Sequence, residues 1–203
     1  MKLTWYGHSC FLLESAEGSA VFDPYAPDSV PGLRLPPLTA DAVLPSHGHA
    51  DHNYTAGVTL TGRKPGFRVI ELDAFHDKEQ GRKRGANVIR VVESEGLRVA
   101  HLGDLGHGLT PALSDALREL DVLLLPVGGF FTVGPAEAWQ IVRELKPRCT
   151  VPMHYRGPGF GYDVIAPVED FLQLAGECTR LDTNSMAVGD YSGVVVLTAK
   201  NHA

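Results

Sequence analysis

The 203-residue chain carries a formal net charge of −6 at pH 7 and has a sequence pI near 5.8, which argues against a nucleic-acid partner. Hydrophobic residues make up 44% of the chain and charged residues 21%, a composition that predicts one globular domain over residues 1–203. No stretch is apolar enough for a signal peptide or a membrane span, and three cysteines without metal-type spacing indicate a reducing compartment. We therefore expect a cytoplasmic protein that binds neither nucleic acid nor a membrane.

Apolar and alternating runs predict that strands dominate the first half of the chain. The predicted strands are residues 2–5, 10–13, 20–22, 41–46, 68–72, 86–93 and 97–102, with the last two forming a pair. One long irregular segment, residues 24–37, contains five prolines that prevent regular structure. Loops of this length in compact domains are often functional, so we expect the segment to border a pocket.

The second half of the chain alternates between predicted helices and strands. Thr110 and Pro111 are typical of a helix start and predict a helix over residues 112–120. A second helix is predicted over 136–145 and a third over 168–175, which Gly176 closes. The predicted strands between and after them are residues 122–126, 150–154 and 194–198.

Four metal-binding side chains occur within six positions directly after the predicted strand 41–46, which we expect to be buried. The first two imidazoles are separated by one residue, so both can turn to the same side of a short loop. The other two side chains can then face a second point nearby. Imidazole nitrogens with one carboxylate suit Zn²⁺ or a similar divalent ion. The four residues are His47, His49, Asp51 and His52.

Three further ligand-type residues lie at or just after the ends of predicted strands. His76 follows the strand 68–72, Asp104 follows 97–102, and His154 ends 150–154. Sites are commonly assembled from such strand ends, on loops that a rigid scaffold holds. The sequence therefore predicts that the three residues join the cluster of four.

These motifs, in this order, resemble the successive metal motifs of the metallo-β-lactamase superfamily. The segment 20–24 is similar to the family's early strand, whose final Asp, here Asp23, steadies the metal loop and is not a ligand. Residues 6–11, 126–129 and 152–155 are similar to a branch of small metal-dependent hydrolases that includes ascorbate-6-phosphate lactonase-like proteins. The resemblance implies an α+β fold, a four-layer αβ/βα sandwich of two mixed β-sheets with helices on the outer faces.

The resemblance also implies how the ligands are distributed over two divalent metal ions. These would most readily be Zn, with Mn or Fe as alternatives. The first ion would be held by His47, His49 and His76, the second by Asp51, His52 and His154, and Asp104 would bridge both.

His101 competes with His76 for the last place at the first ion. Alternate residues of a strand face opposite sides, so His101 points away from the face that carries Asp104. We therefore assign the place to His76. His101 and His107 are then either polar neighbours of the Asp104 turn or partners that orient a ligand.

Three other features have two interpretations each. His8 lies in a Gly-His-Ser turn and either bonds to nearby backbone or borders the pocket, and we do not expect it to be a ligand. Tyr155 directly follows His154 and either donates a hydrogen bond to a developing oxyanion or packs. The basic segment 78–85 indicates a solvated loop. The more specific alternative is that it forms a basic rim beside His76 that attracts an anion.

Such a centre predicts a hydrolase in which a metal-bound hydroxide attacks the substrate, with Asp51 and Asp104 as its catalytic carboxylates. Two divalent ions, less two carboxylates and one hydroxide, leave a charge of about +1. That charge favours an anionic small-molecule substrate, such as a lactone or a phosphoester. An alternative is a mononuclear iron oxidoreductase similar to persulfide dioxygenases. The sequence is also compatible with a homo-oligomer.

Overall fold

Two mixed β-sheets form the centre of the fold in the computed structural model, which describes residues 1–203. The strands are β1 (Lys2–Trp5), β2 (Phe11–Ser15), β3 (Gly18–Phe22), β4 (Leu38–Ala40), β5 (Ala42–Leu44), β6 (Val58–Leu60), β7 (Arg68–Phe75), β8 (Ala86–Ser94), β9 (Leu97–His101), β10 (Val122–Pro126), β11 (Cys149–Met153), β12 (Cys178–Arg180), β13 (Ser185–Ala187) and β14 (Gly193–Val196). The helices are α1 (Pro111–Ala116), α2 (Pro135–Leu145) and α3 (Val168–Ala175).

The smaller sheet has five strands in the order β13-β1-β2-β3-β5. β1, β2 and β3 are antiparallel neighbours, and β3 pairs in parallel with β5. β5 lies at the edge of this sheet and its three residues are only half-buried. The prediction of a buried strand before His47 was therefore wrong, because an edge strand has a neighbour on one side only.

The larger sheet has seven strands in the order β12-β14-β11-β10-β9-β8-β7. β9, β10, β11 and β14 run parallel to one another, and β7 runs in the same direction because β8 is antiparallel to both its neighbours. The carboxyl ends of β7, β9, β10 and β11 consequently meet at one edge. Every residue of β10 and β11 is buried, as expected of central parallel strands. The predicted pairing of residues 86–93 with 97–102 is confirmed in β8 and β9.

All three helices lie in the second half of the chain. The predicted helix over 168–175 is confirmed in α3, and α2 begins one residue before its predicted start. α1 also begins one residue before its predicted start, at Pro111, and the Thr110 hydroxyl caps it by accepting a hydrogen bond from the Leu113 amide. Its predicted end was wrong. The helix stops at Ala116, whose carbonyl accepts a hydrogen bond from the Arg98 side chain. Glu119, within the predicted range, has a φ of 56°, outside the helical region.

The predicted α+β sandwich of two mixed sheets is confirmed, while the single domain over residues 1–203 stays a prediction. Four three-residue strands, β4, β6, β12 and β13, were not predicted because three residues are too short to show alternation. The irregular segment 24–37 has no helix or strand, and the Ala26 amide donates to the Ala50 carbonyl beside the predicted metal loop. None of the helices is long and apolar enough to cross a membrane.

Candidate metal centre

The predicted ligand residues meet where strand ends from both sheets come together. Ser46 and His47 follow β5 of the smaller sheet. His76 directly follows β7, Asp104 lies three residues after the end of β9, and His154 directly follows β11 of the larger sheet. The convergence explains why residues far apart in sequence form one centre, since the sheet edge fixes all of these positions at once.

Asp23, at the end of β3, fixes the start of the metal loop. One carboxylate oxygen accepts a hydrogen bond from the Ser46 amide at 2.6 Å, and the other accepts from the Ser46 hydroxyl at 2.7 Å. The same second oxygen lies 2.7 Å from Nδ1 of His52. A fully buried carboxylate with three short contacts holds both ends of the loop in place.

The potential ligand atoms form three overlapping groups, and within each group they lie within 4.8 Å of one another. His47 belongs to two of the groups and His52 to another two, so the groups form one continuous centre. The groups are His47 with His49 and His76, His47 with His52 and Asp104, and His8 with Asp51, His52 and His154. All seven predicted ligand residues are thus brought together, and His8 joins them.

Asp104 occupies the middle of this centre. Its Oδ2 lies 3.2 Å from Nε2 of His76, 3.2 Å from Nε2 of His154 and 3.3 Å from Nε2 of His52. His47 is slightly further away, with its Nε2 at 4.0 Å. We call the group of His47, His49 and His76 and the group of His8, Asp51, His52 and His154 the outer groups. The Asp104 carboxylate therefore faces imidazoles of both outer groups.

A tight turn presents Asp104 at this position. Gly103 has a φ of +54°, and a Cβ there would lie 2.4 Å from both the Asn87 side chain and Cβ of Ser46, so only glycine fits. Asn87 is fully buried, donates to the Leu102 carbonyl and accepts a hydrogen bond from the Asp104 amide at 2.9 Å. Asn87 is a positioning residue that sequence reasoning missed.

Three residues at the centre have a strained backbone conformation. His8, Asp23 and His154 have φ values of 50°, 41° and 52°, in the left-handed region that non-glycine residues seldom adopt. The His154 amide also donates to the His8 carbonyl at 3.2 Å, which joins two of the strained residues directly. Strained residues that the surrounding structure holds in place are typical of functional sites.

Neighbouring charges and burial shift the pKa values of the groups in the centre in opposite directions. Burial alone would raise the pKa of Asp104, but the imidazoles of His154 and His52 hold it well below its ordinary value. Burial would lower the pKa of His52, yet Asp104 and Asp23 raise it well above 6.5. Burial and the neighbouring His52 lower the pKa of His47 to about 3. The two carboxylates thus favour the charged form of the His52 imidazole, whereas burial favours the neutral form of His47.

Several buried polar atoms of the centre have no hydrogen-bond partner, although most buried polar groups in proteins have one. They include Nε2 of His52, Nε2 of His154 and Oδ1 of Asp104. Imidazole nitrogens and carboxylate oxygens are the donors that Zn²⁺ and similar divalent ions take. Their convergence and lack of partners fit a metal-binding centre.

Outer partners orient three of these imidazoles. Nδ1 of His52 contacts Asp23, Nδ1 of His76 contacts the Phe131 carbonyl at 3.1 Å, and Nδ1 of His47 contacts the Ser46 hydroxyl at 2.9 Å. In each case Nε2 is left to face the centre. Such outer contacts fix the tautomer and the ring direction of a metal-binding histidine.

Two of the remaining predicted candidates lie outside the three groups. His101 is fully buried, contacts the Ser9 carbonyl through Nε2 at 2.8 Å, and stacks on Phe22 with the ring planes 2° apart. His107 accepts a hydrogen bond from the Phe75 amide at 3.1 Å, which ties the end of β7 to the following loop. Both residues support elements that carry the centre.

Tyr155 also lies outside the groups, because its ring packs on Trp5 and Phe160. The phenol beside the centre is instead that of Tyr162, a residue that sequence reasoning missed. Its hydroxyl lies 3.2 Å from Oδ2 of Asp51 and also bonds the Ser29 carbonyl. Burial and Asp51 raise the pKa of this phenol above its ordinary value, so Tyr162 stays protonated.

His8 lies closer to the centre than its sequence context indicated. Its Nε2 is 3.4 Å from Oδ2 of Asp51, its ring centroid is 4.1 Å from that of His154, and neither of its nitrogens has a hydrogen-bond partner. Burial and His154 lower its pKa to about 4, so the ring is neutral near pH 7.

A sandwich of mixed sheets with a His and Asp cluster at one edge defines a metallo-hydrolase domain, and comparison with known proteins identifies its family. A sequence model of the β-lactamase superfamily domain matches residues 2–154. The chain is also 33% identical over 192 residues to a UPF0173 metal-dependent hydrolase from Desulforamulus reducens, covering 76% of this chain and 84% of that one. The chain therefore belongs to the β-lactamase superfamily and, within it, to the UPF0173 metal-dependent hydrolases.

Two other similarities support this placement. A UPF0173 metal-dependent hydrolase from Archaeoglobus fulgidus is 30% identical over 195 residues, which cover 76% of this chain and 83% of that one. The crystal structure of a proposed Zn-dependent hydrolase of the metallo-β-lactamase superfamily from Thermotoga maritima superimposes with a TM-score of 0.76 at 36% identity, covering 97% of both chains. The chain is thus a metal-dependent hydrolase.

More distant structures show the fold alone. An isothiocyanate hydrolase from Delia radicum gut bacteria has a TM-score of 0.70 at 14% identity, covering 100% of this chain and 98% of that one. One fold can carry different activities, so the substrate has to be argued from the site. The narrower resemblance to ascorbate-6-phosphate lactonase-like proteins stays a prediction.

Proposed function

We propose that the chain is a dinuclear hydrolase that acts on small anionic lactones or phosphoesters. The observation that carries this proposal is the position of Asp104 between two outer groups of ligand atoms, with its Oδ2 within 3.3 Å of three imidazoles. A carboxylate so placed can be shared by two ions. The first ion would be held by His47, His49 and His76, the second by Asp51, His52 and His154, and both by Asp104.

Zn is the ion that we expect, with Mn or Fe as alternatives, because five imidazoles dominate the proposed donor set. Divalent ions in such a site lower the pKa of water and polarise a substrate oxygen, which supplies hydrolysis without a side-chain nucleophile. The residues of the chain hold the ligands in fixed directions. Asp23 and the Phe131 carbonyl orient His52 and His76, so that Nε2 of each is aimed at the centre before an ion arrives.

Asp51 is the least buried of the proposed carboxylate ligands, and two side chains fix its direction. His8 and the Tyr162 hydroxyl lie 3.4 Å and 3.2 Å from its Oδ2. We assign both of them an orienting role toward Asp51 and do not place His8 among the ligands. The phenol of Tyr162 also offers a polar contact for a substrate at the edge of the centre.

The proposed substrate class follows from charge. Two divalent ions, the carboxylates of Asp51 and Asp104, and one hydroxide give a centre of about +1 with neutral imidazoles. A positive centre stabilises a substrate that is anionic or that gains negative charge on hydrolysis. Lactones and phosphoesters both gain such charge when the ring or the ester opens.

Metal stoichiometry tests this proposal. We expect elemental analysis of protein purified without added metal to give about two ions per chain, and a panel of lactones and phosphoesters to contain a hydrolysed substrate. His202→Ala is a control for the loss of an imidazole, because His202 is exposed and lies outside the three groups, and it should keep both ions. One Fe per chain with oxygen uptake in the presence of thiols would contradict the dinuclear hydrolase and favour a persulfide dioxygenase-like oxidoreductase.

A further inference from the structure

The loop that follows His76 is basic and is held in one conformation by a single side chain. Asp77 is only 4% exposed, and its carboxylate accepts four backbone hydrogen bonds. The donors are the amides of Glu79, Gly81, Lys83 and Arg84, at 2.7, 3.0, 3.0 and 2.8 Å. Such a carboxylate at the centre of a loop fixes the direction of the side chains that the loop carries.

Most basic side chains of this loop are already paired. Lys78 forms an ion pair with Glu137, and Lys83 forms one with Glu79. The exception is Arg84, which is half-buried, has no carboxylate within 4.0 Å and makes no side-chain hydrogen bond. Its guanidinium carbon lies 5.6 Å from the ring centroid of Phe131, which leaves the planar edge with its N–H donors free.

Phe131 connects this guanidinium to the metal centre. Its carbonyl contacts Nδ1 of His76 at 3.1 Å, and its ring centroid is 6.4 Å from that of His154 and 5.7 Å from that of Tyr162. One aromatic ring therefore separates Arg84 from the ligands of both outer groups. Arg84 and Phe131 line a common cavity of about 400 Å³.

We infer that Arg84 binds an oxyanion group, a phosphate or a carboxylate, at the end of the substrate remote from the reacting bond. The inference rests on the proposed function, because it assumes that the reacting bond lies at the His and Asp centre. A guanidinium is planar, always charged and matches two oxygens of a carboxylate or phosphate at once. The cation–π contact with Phe131 and the loop fixed by Asp77 restrict its position before substrate arrives, which reduces the entropy lost on binding.

The test compares three lactones of the same ring size that differ in one substituent. The first is uncharged, the second carries a carboxylate at that position and the third carries a phosphate there. We expect Arg84→Ala to lower kcat/KM about 10- to 100-fold for an anionic lactone, mainly through KM, and to leave the neutral lactone within about twofold. The anion with the larger loss is the one that the site prefers. Arg84→Lys should recover part of the loss, and Arg82→Ala, in the same loop but exposed, should change neither substrate.

An equal loss for charged and neutral lactones would overturn the inference, and so would an unchanged kcat/KM for all three. If the wild-type protein opens no lactone, that result counts against the proposed function alone. A binding measurement then still tests the role of Arg84. Titration calorimetry of the metal-loaded protein should show glutarate binding more tightly than pentanoate, and Arg84→Ala should abolish the difference while metal content stays the same. A difference that survives the substitution would exclude Arg84 as the anion site.

Discussion

Asp23 and His52 form a fully buried pair in which Oδ2 of the carboxylate lies 2.7 Å from Nδ1 of the imidazole. The pair directs Nε2 of His52 to within 3.3 Å of Asp104 on the other side of the ring. His52 thus links a carboxylate that holds the loop to a carboxylate in the middle of the centre. Burial opposes the charge on Asp23, but His101 and His52 lower its pKa below the ordinary value, so it stays ionised.

Replacing Asp23 tests whether this pair supports metal binding. Asp23→Ala removes the acceptor of the Ser46 amide and hydroxyl and the partner of His52, all within a buried site. We expect metal affinity to fall about 10- to 100-fold and the free energy of unfolding to fall by about 3 kcal/mol. Competition with a chelator and denaturant titration measure the two effects. Asp73→Ala, at an exposed and unpaired Asp, is the control, and unchanged affinity in Asp23→Ala would remove the supporting role.

Asp104→Ala tests the shared ligand. Because Oδ2 faces imidazoles of both outer groups, its loss should affect both ions and not one. We expect metal content to fall below one ion per chain and hydrolysis to be lost. Elemental analysis and activity on the same preparation measure the two results. Two ions retained per chain would show that Asp104 does not bridge them.

The paired variants His76→Ala and His101→Ala test the choice between two histidines that the sequence left in competition. Nε2 of His76 faces Asp104, whereas both ring nitrogens of His101 contact backbone. We expect His76→Ala to lose about one ion per chain. His101→Ala should keep both ions and lose about 3 kcal/mol of stability, because it leaves a cavity beside Phe22. The opposite pattern of metal loss would mean that the two assignments were exchanged.

The sequence predicted the longer strands and the placement of His76, Asp104 and His154 at or just after strand ends because those features are local. An apolar run with a polar residue at its end is visible in one segment of chain, and parallel pairing then brings such ends together. The spacing of His47 and His49 is equally local. Together with the resemblance to the metallo-β-lactamase superfamily, these features predicted the two mixed sheets and the set of residues that meet at their edge.

The residues that sequence reasoning missed are placed by contacts between distant segments. Tyr162 lies in an irregular loop and reaches Asp51 only because that loop packs on residue 29, more than 130 positions earlier in the chain. Asn87 lies near the start of β8, and only pairing with β9 brings it to the Asp104 turn. The interpretation of His8 stayed open for the same reason, since no local pattern shows which loop its ring will face.

A His8→Ala variant separates an orienting residue from a ligand. Nε2 of His8 lies 3.4 Å from Oδ2 of Asp51, so we assign His8 the role of orienting that carboxylate. We expect two ions per chain at saturating metal and about tenfold weaker binding of the second ion. Stepwise metal titration by calorimetry measures both quantities. The loss of one ion even at saturation would make His8 a ligand, and His202→Ala, at an exposed histidine, controls for the removal of an imidazole elsewhere.

The three free cysteines test the fold independently of the metal. Burial raises the pKa of Cys10 well above its ordinary value and that of Cys149 to about 12, so both thiols stay protonated at pH 8. Because the thiolate is the reactive form and both side chains are fully buried, we expect iodoacetamide to label the half-buried Cys178 alone in the folded protein and all three in denaturant. Mass spectrometry of the labelled peptides distinguishes the sites. Cys149 begins β11, the strand that ends at His154, so its labelling at the rate of Cys178 would show that this strand opens and would contradict a rigidly held centre.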